Sequence, residues 1–396
     1  MPSVLRWKIG RDMFAFDRYK RKNINYQIIL CVIALSVIGA LILHSAMAND
    51  LDRDAAMTKQ IMGLSAGFVI MAFLMIVDYH FVLKFAPLIM LVNVVLLGLV
   101  LTSLGVTVNG ATRWLEFGIR IQPSEFAKIF LILMLAWFYG KNEFRINRFW
   151  VVLLGLVFYG ITAALILAEP DLSTTLVVTF IFVAVVYASR ISYKWILAAV
   201  LIMIPLILIG YYIIVRYQDY LINDLHIYQV KRVLDFIYPD RAGASSGNTQ
   251  QDNSILAIAS GQLFGKGLNN TSFESVKNGN FLAEENSDFI FAVVGEELGF
   301  VGCIIIIALI VILVFMCIRT ASKAPDMSGR LICVGVASLI AFQSFVNIGV
   351  SIKLLPNTGL PLPFFSAGIS SLWCFYMGVG FVLNVALQKK EDLSTW

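Results

Sequence analysis

The stretch LGFVGCIIIIALIVILVFMCI, residues 298–318, decides the fold. It carries no charged side chain, and it is as long as the ~20 apolar residues that a helix needs to cross a bilayer core of ~30 Å. Comparable stretches lie near 26–47, 60–78, 82–103, 125–140, 148–168, 171–189, 194–215, 329–350 and 366–388. No soluble core hides so many such runs. In lipid, where backbone groups must satisfy one another, each run is a helix. The expectation is an all-α, polytopic transmembrane bundle of about ten helices.

Composition agrees. Of 396 residues, 59% are hydrophobic and 14% charged, against ~45–50% and ~25% in ordinary soluble domains. Mean hydropathy is +0.83. The net charge of +5 does not point to nucleic acid, because the basic residues fall in tails and short connections. The five cysteines, Cys31, Cys303, Cys317, Cys333 and Cys374, lie in apolar runs without a CxxC pair and read as small buried hydrophobes. His44, His80 and His226 lack metal-ligand spacing, so no histidine-based metal site is expected.

Charge also orients the chain. Arg6, Lys8, Arg11, Arg18, Lys20, Arg21 and Lys22 precede the first span. Alternate later connections hold Lys141, Arg145 and Arg148, then Arg190 and Lys194, then Arg319, Lys323 and Arg330, then Lys389 and Lys390. The connection after the first span holds Asp50, Asp52 and Asp54 instead. The positive-inside rule puts both termini in the cytoplasm. Ala46-Met47-Ala48 mimics a signal-peptide cleavage site, but the apolar run before it exceeds the usual ~7–15 residues, and it is read as a retained helix. The expected organisation is a basic tail over 1–25, a transmembrane domain over 26–388 and a cytoplasmic tail over 389–396, with 216–287 as a long external loop. Within that loop, 241–253 (RAGASSGNTQQDN) reads as flexible padding.

The apolar run begins earlier than 298. Residues 288–318 contain no evident break, yet as one helix they would reach roughly 46 Å, more than a bilayer core requires. Residues 288–297 are therefore expected at the outer surface or dipping into a cavity. Asp288 is a lone acid beside this stretch, where desolvation raises a carboxylate's pKa and suits it to accept a proton. Alone it identifies no reaction.

Polar residues within spans are costly and need reasons. Gln122-Pro123-Ser124-Glu125 opens the fourth span, with Pro and an acid at positions that favour a helix start. Glu125 and Lys128 share a helix face. They read either as a structural ion pair or as a lysine offered to an anionic ligand. Arg113 and Trp114, within the Gly-rich turn Asn109-Gly110-Ala111-Thr112-Arg113-Trp114-Leu115, read as an interfacial anchor or a phosphate clamp. Asp171, in Glu169-Pro170-Asp171, reads as a helix cap or a site residue.

In order, these segments resemble the SEDS family of peptidoglycan polymerases, the RodA, FtsW and SpoVE types. The matching pieces are Gly110-Ala111-Thr112-Arg113-Trp114, Gln122-Pro123-Ser124-Glu125 with Lys128, Pro170-Asp171-Leu172, and Tyr228-Gln229 with Arg232. Gly265-Lys266-Gly267 and Ser287-Asp288-Phe289-Ile290-Phe291 with Glu296-Glu297-Leu298-Gly299 follow, then Asn347-Ile348-Gly349 and Leu355-Pro356 through Gly359-Leu360-Pro361-Leu362-Pro363-Phe364. The chain departs from the pattern at Glu169, where the family usually has Gln, at Asn253-Ser254, at Lys353, and at Ser366-Ala367-Gly368-Ile369-Ser370. The compact N-terminus is nearest the RodA type.

The resemblance implies a glycosyltransferase at the outer face of the bacterial cytoplasmic membrane. It would polymerise lipid II into glycan strands for elongation or division. It implies Asp288 as the base, with Arg113, Glu125, Lys128, Asp171, Arg232, Lys266 and Ser366 around the substrates. It further implies a divalent cation such as Mg or Mn, no organic cofactor, and a class B penicillin-binding protein transpeptidase as partner. The rival readings are a lipid II flippase, which needs polar residues through to the cytoplasmic side, and a non-catalytic membrane scaffold.

Overall fold

The computed structural model describes residues 23–47, 53–108, 111–116, 118, 120–216, 246–269 and 286–388, with Met13, Tyr19, Leu234 and Phe236. The basic tail over 1–25, apart from the few residues named, and the tail over 389–396 lie outside the described residues. Helices α1 (Tyr26–Ala46), α2 (Arg53–Ile76), α3 (Tyr79–Lys84) and α4 (Ala86–Val100) come first. Strands β1 (Gly105–Val108), β2 (Ala111–Glu116) and β3 (Arg120–Ile121) follow. Next are α5 (Pro123–Lys141), α6 (Phe149–Ala168), α7 (Leu172–Ala188), α8 (Tyr193–Arg216) and α9 (Ser246–Ser260). The chain closes with α10 (Ile290–Lys323), α11 (Met327–Ser351) and α12 (Ile369–Leu387). Among the described residues, eight helices are long and apolar enough to cross a membrane, and α4 and α7 are shorter apolar helices. The expected bundle is therefore present.

Helices α5, α11 and α12 form the buried centre, whereas α8 buries none of its apolar stretch. Helix α12 lies along α2, and α11 packs on α10, α7 and α5. Since the spanning helices alternate in direction, β1–β3, the α6–α7 turn, the segment before α10 and the α11–α12 connection all gather at one end of the bundle. At the opposite end, His80 sits between Asp78 (2.9 Å) and Asp326 (3.3 Å). Gln388 donates to Asp78 at 2.8 Å, and Asp326 caps α11 through Gly329 N–H. These contacts tie the α2–α3 junction to both terminal helices.

Four expectations need correction. First, the third apolar run is broken at Phe85, and its helix ends at Val100. The residues that follow form a small three-stranded antiparallel sheet, β1-β2-β3, that an all-α reading missed. Second, Arg113 and Trp114 lie on strand β2 rather than in a turn. Third, the stretch read as flexible padding enters helix α9 at Ser246. Gln251 there is buried, donating to the carbonyls of Val350 (3.0 Å) and Leu355 (2.8 Å), and Ser254 donates to Ser351 at 2.7 Å. Gln251, one of the polar residues that suggested a linker, and Ser254 just after that stretch bond the end of α11 and the residues beyond it.

Fourth, α10 does break. Gly299 takes φ 66°, ψ −166°, a region essentially reserved for glycine. It divides a fully buried limb, Ile290 to Glu297, from the crossing segment. Breaking a helix strands backbone groups, which must find partners in a buried setting. The loop after α9 supplies them. Phe300 N–H donates to Gln262 (2.9 Å), Val301 N–H to Leu263 (3.1 Å), and Lys266 and Gly267 N–H to Glu296 (2.9 Å) and Glu297 (3.0 Å). The limb thus dips into the bundle instead of extending the span.

A Cβ at Gly299 would approach the Phe264 carbonyl carbon to 2.7 Å, adding overlap to backbone strain of ~1–3 kcal/mol. Gly299→Ala should therefore lose about 3 kcal/mol or more of stability. Gly98→Ala, where nothing lies within 4 Å, should unfold like the wild type. Thermal unfolding of the two purified variants in detergent tests this, and equal melting would contradict the assigned role of the break.

Candidate active site

The α11–α12 connection forms a strap across the end of the bundle, and contacts with α11, with α7 and with the segment before α10 fix it. Gln343 and Asn347, one turn apart on α11, donate to the carbonyls of Pro361 (3.0 Å) and Leu360 (2.7 Å). Asn347 also donates to the Asp288 carbonyl at 2.9 Å. Ser366 donates to the Ser287 carbonyl at 2.5 Å and accepts from Leu362 N–H at 2.7 Å. Ala367 N–H reaches the Asn286 carbonyl at 2.8 Å, and Ser173 on α7 donates to Thr358. Asp288 is half-buried in this frame. Gly359, at φ 74°, lies so close that an added Cβ would sit 3.2 Å from the Asp288 carboxylate.

Across the strap stands the α6–α7 turn. Asp171 caps α7, accepting from Thr174 N–H at 3.0 Å and its hydroxyl at 2.8 Å. Arg113 reaches over from β2. Its Nε donates to the Glu169 carbonyl at 3.3 Å, a terminal nitrogen donates to the Pro170 carbonyl, and its guanidinium lies 4.0 Å from the Asp171 carboxylate. Gln122, just before α5, donates to Asp171 (3.4 Å) and Ser124 (3.1 Å), and its backbone N–H donates to Ser370 (3.1 Å). Arg113 keeps about a quarter of its side chain exposed, 28%, so part of its charge faces outward.

Glu169 is wholly buried. Among the described residues, neither of its carboxyl oxygens has a hydrogen-bond partner. Burial, and then the nearby Asp171 charge, push its pKa up to about 8, while Arg113 pulls it back.

Lys128 lies beneath this surface with no exposure at all. Its ammonium donates to Glu125 at 2.8 Å and to the Gln343 side-chain carbonyl at 2.9 Å. The Glu125–Lys128 pair is thus formed, and Lys128 has no exposed atom in this structure. Ser366 likewise is committed to the strap. Lys266, expected beside the leaving group, instead pairs with Glu296 at 2.9 Å, next to the Gly299 break. Arg232, Tyr228 and Gln229 lie outside the described residues. The structure brings together Asp288, Asp171 and Arg113 at one end of the bundle, over the buried Glu125 and Lys128.

Sequence reasoning missed Gln122, Glu169, Ser173, Gln343 and Ser370 as parts of this site, and gave no reason for Asn347 and Gly359 within the resemblance. The signal was present for Gln343 and Asn347, amides four apart in an apolar helix. Among the described residues, no three His, Cys, Asp or Glu side chains gather as a metal-holding group. The only described acid in the frame facing the strap is Asp288, so no protein-built cation cage is assigned there.

Residues 25–391 match the family of FtsW, RodA and SpoVE, described as "Cell cycle protein". The chain belongs to this family. Stage V sporulation protein E of Bacillus subtilis is 34% identical over 93% of this chain and 98% of that protein. Peptidoglycan glycosyltransferase MrdB of Escherichia coli K12 is 32% identical, over 94% and 96%. A solved structure described as "Structural coordination of polymerization and crosslinking by a peptidoglycan synthase complex" superimposes with a TM-score of 0.73 at 28% identity, covering 91% of this chain and 97% of that one. In this FtsW/RodA/SpoVE family member, the match spans every element that builds the site, from β2 to the strap.

The Glu125–Lys128–Gln343 group yields a stability prediction. Removing one partner of a buried ion pair typically costs ~3–5 kcal/mol, because the other charge is stranded. Lys128→Met should lose stability of that order, and Glu125→Gln/Lys128→Met should recover most of it. Melting temperatures and extractable folded yield decide, and a double variant no better than the single would contradict the pairing.

Proposed function

We propose that this multi-pass membrane protein is a peptidoglycan glycosyltransferase that polymerises lipid II into glycan strands at the outer face of the cytoplasmic membrane. The observation that carries the reading is the half-buried Asp288 carboxylate against Gly359 of the strap, with the partly exposed guanidinium of Arg113 across the same end of the bundle. The acceptor's 4-hydroxyl attacks the anomeric carbon of the donor sugar. A C–O bond forms there as the bond to the diphosphate breaks, and Asp288 takes the hydroxyl proton. Arg113 faces the negative charge that develops on the departing diphosphate. A divalent cation such as Mg or Mn carried by the diphosphate would supply further positive charge to the leaving group, and no cluster among the described residues is assigned to hold it.

The basic connections support both termini being cytoplasmic, which turns this end of the bundle outward. A class B penicillin-binding protein is the partner this reading expects. The complex that the chain resembles couples polymerization to crosslinking. The flippase reading is less supported, because buried apolar residues such as Leu131, Ile132, Leu135, Val336, Leu339 and Val379 predominate along the middle of α5, α11 and α12.

Asp288→Asn keeps the size of the side chain and removes the base. Glycan strand formation by the purified variant should fall by ~10²–10⁴-fold, the usual weight of general-base catalysis. Lipid II binding should change far less. Retained polymerisation would exclude Asp288 as the base, and parallel loss of binding and turnover would make it a ligand-holding group instead.

A further inference from the structure

Where the family usually has Gln, this chain has Glu169. The side chain has no exposure and no hydrogen-bond partner among the described residues. Its own backbone carbonyl accepts from Arg113 Nε at 3.3 Å. The charged groups acting on it are Asp171, on the same turn at the start of α7, and Arg113, from β2. Gln122, before α5, bridges to Asp171 without titrating. A carboxylate in such a place, with no donor to satisfy it, pays heavily for its charge and stays protonated instead.

We propose that Glu169 is a positioning residue that leaves the Arg113 charge available to the diphosphate of a polyprenyl-linked substrate while it is protonated, and withdraws that charge once it ionises. The inference rests on the glycosyltransferase reading above. With Glu169 neutral, Asp171 is the acid among the described residues that pairs with Arg113, and the exposed part of the guanidinium can meet an anion. With Glu169 ionised, a second negative charge acts on the guanidinium, and the turn as a whole becomes anionic. A like charge a few ångströms from a doubly charged ligand, at the effective dielectric of a partly buried site, weakens binding on the order of 10-fold or more.

The sign follows from the direction of the shift. Glu169 is neutral below about 8, so substrate binding is intact there and weakens as pH rises through that value. The same loss appears as a rise in KM with a smaller change in kcat, since the effect is on binding.

The test uses the full chain in nanodiscs at roughly pH 6.5 and pH 9.5, on either side of this titration. Binding of polyprenyl diphosphate and lipid II polymerisation are measured on the same samples. For the wild type, the Kd for polyprenyl diphosphate and the KM for lipid II should each rise about 10-fold or more between the two pH values. In Glu169→Gln that ratio should collapse to within about 2-fold, because the amide cannot ionise. Glu116→Gln, which alters an exposed acid of the same hairpin, should keep the wild-type ratio.

A flat wild-type profile, or an unchanged ratio in Glu169→Gln, overturns the proposal, as does absence of diphosphate binding at either pH. If Glu169→Gln does not fold, Glu169→Asp replaces it. The shorter acid must shift the midpoint of the rise, and an unshifted midpoint is equally fatal. Diphosphate binding that titrates as described, with no glycan made from lipid II at any pH, supports the charge switch and overturns the glycosyltransferase reading instead.

Discussion

Lys128 has no contact with solvent, and its ammonium is held by Glu125 at 2.8 Å and by Gln343 at 2.9 Å. A cation inside an apolar bundle is tolerable only when it is paired and hydrogen-bonded, and the way this requirement is met shapes the rest of the site. Gln343 accepts from Lys128 with its carbonyl, which fixes its amide nitrogen to face the strap, where it donates to Pro361. Asn347, one turn further, holds Leu360 and the Asp288 backbone. The buried charge therefore orients α11, α11 orients the strap, and the strap sets Gly359 against the Asp288 carboxylate. A wholly buried lysine is in this way tied to the setting of Asp288.

The same constraint explains the broken helix. A continuous α10 would carry Asp288 beyond the bundle. The Gly299 break instead lets the limb from Ile290 to Glu297 lie buried inside it, and the loop after α9 satisfies the backbone groups that the break frees. Helix α9 then bonds the far end of α11 through Gln251 and Ser254. The 216–287 connection is thus partly structural, and the placement of Asp288 depends on contacts remote in sequence.

The spans were legible in the sequence because hydrophobicity over ~20 residues is a strong, local signal. The positions of Asp288, Arg113 and Asp171 were legible only through an ordered set of weak motifs. What stayed hidden depends on long-range pairing. Sheet β1–β3 is short and follows an apolar helix, so no periodicity exposes it. Helix α9 has small polar residues whose partners lie about a hundred positions away. Lys128 and Ser366 look like ligand contacts by type, and their burial and their bonds to Gln343 and to the strap appear only in the fold. Glu169 differs from the family pattern at a single position, and its meaning appears only once its carboxyl is found buried beside Arg113.

The central claim is that one end of the bundle holds both reacting groups, with the diphosphate at Arg113 and the acceptor hydroxyl at Asp288. A cryo-electron microscopy structure of the full chain with bound lipid II tests it most directly. The account predicts diphosphate density against the Arg113 guanidinium and the Asp171 turn, sugar density reaching toward Asp288 beneath the strap, and the polyprenyl tail leaving between apolar helices. Diphosphate density at the opposite end, near His80 and Asp326, or along a path through the α5, α11 and α12 centre, would contradict it.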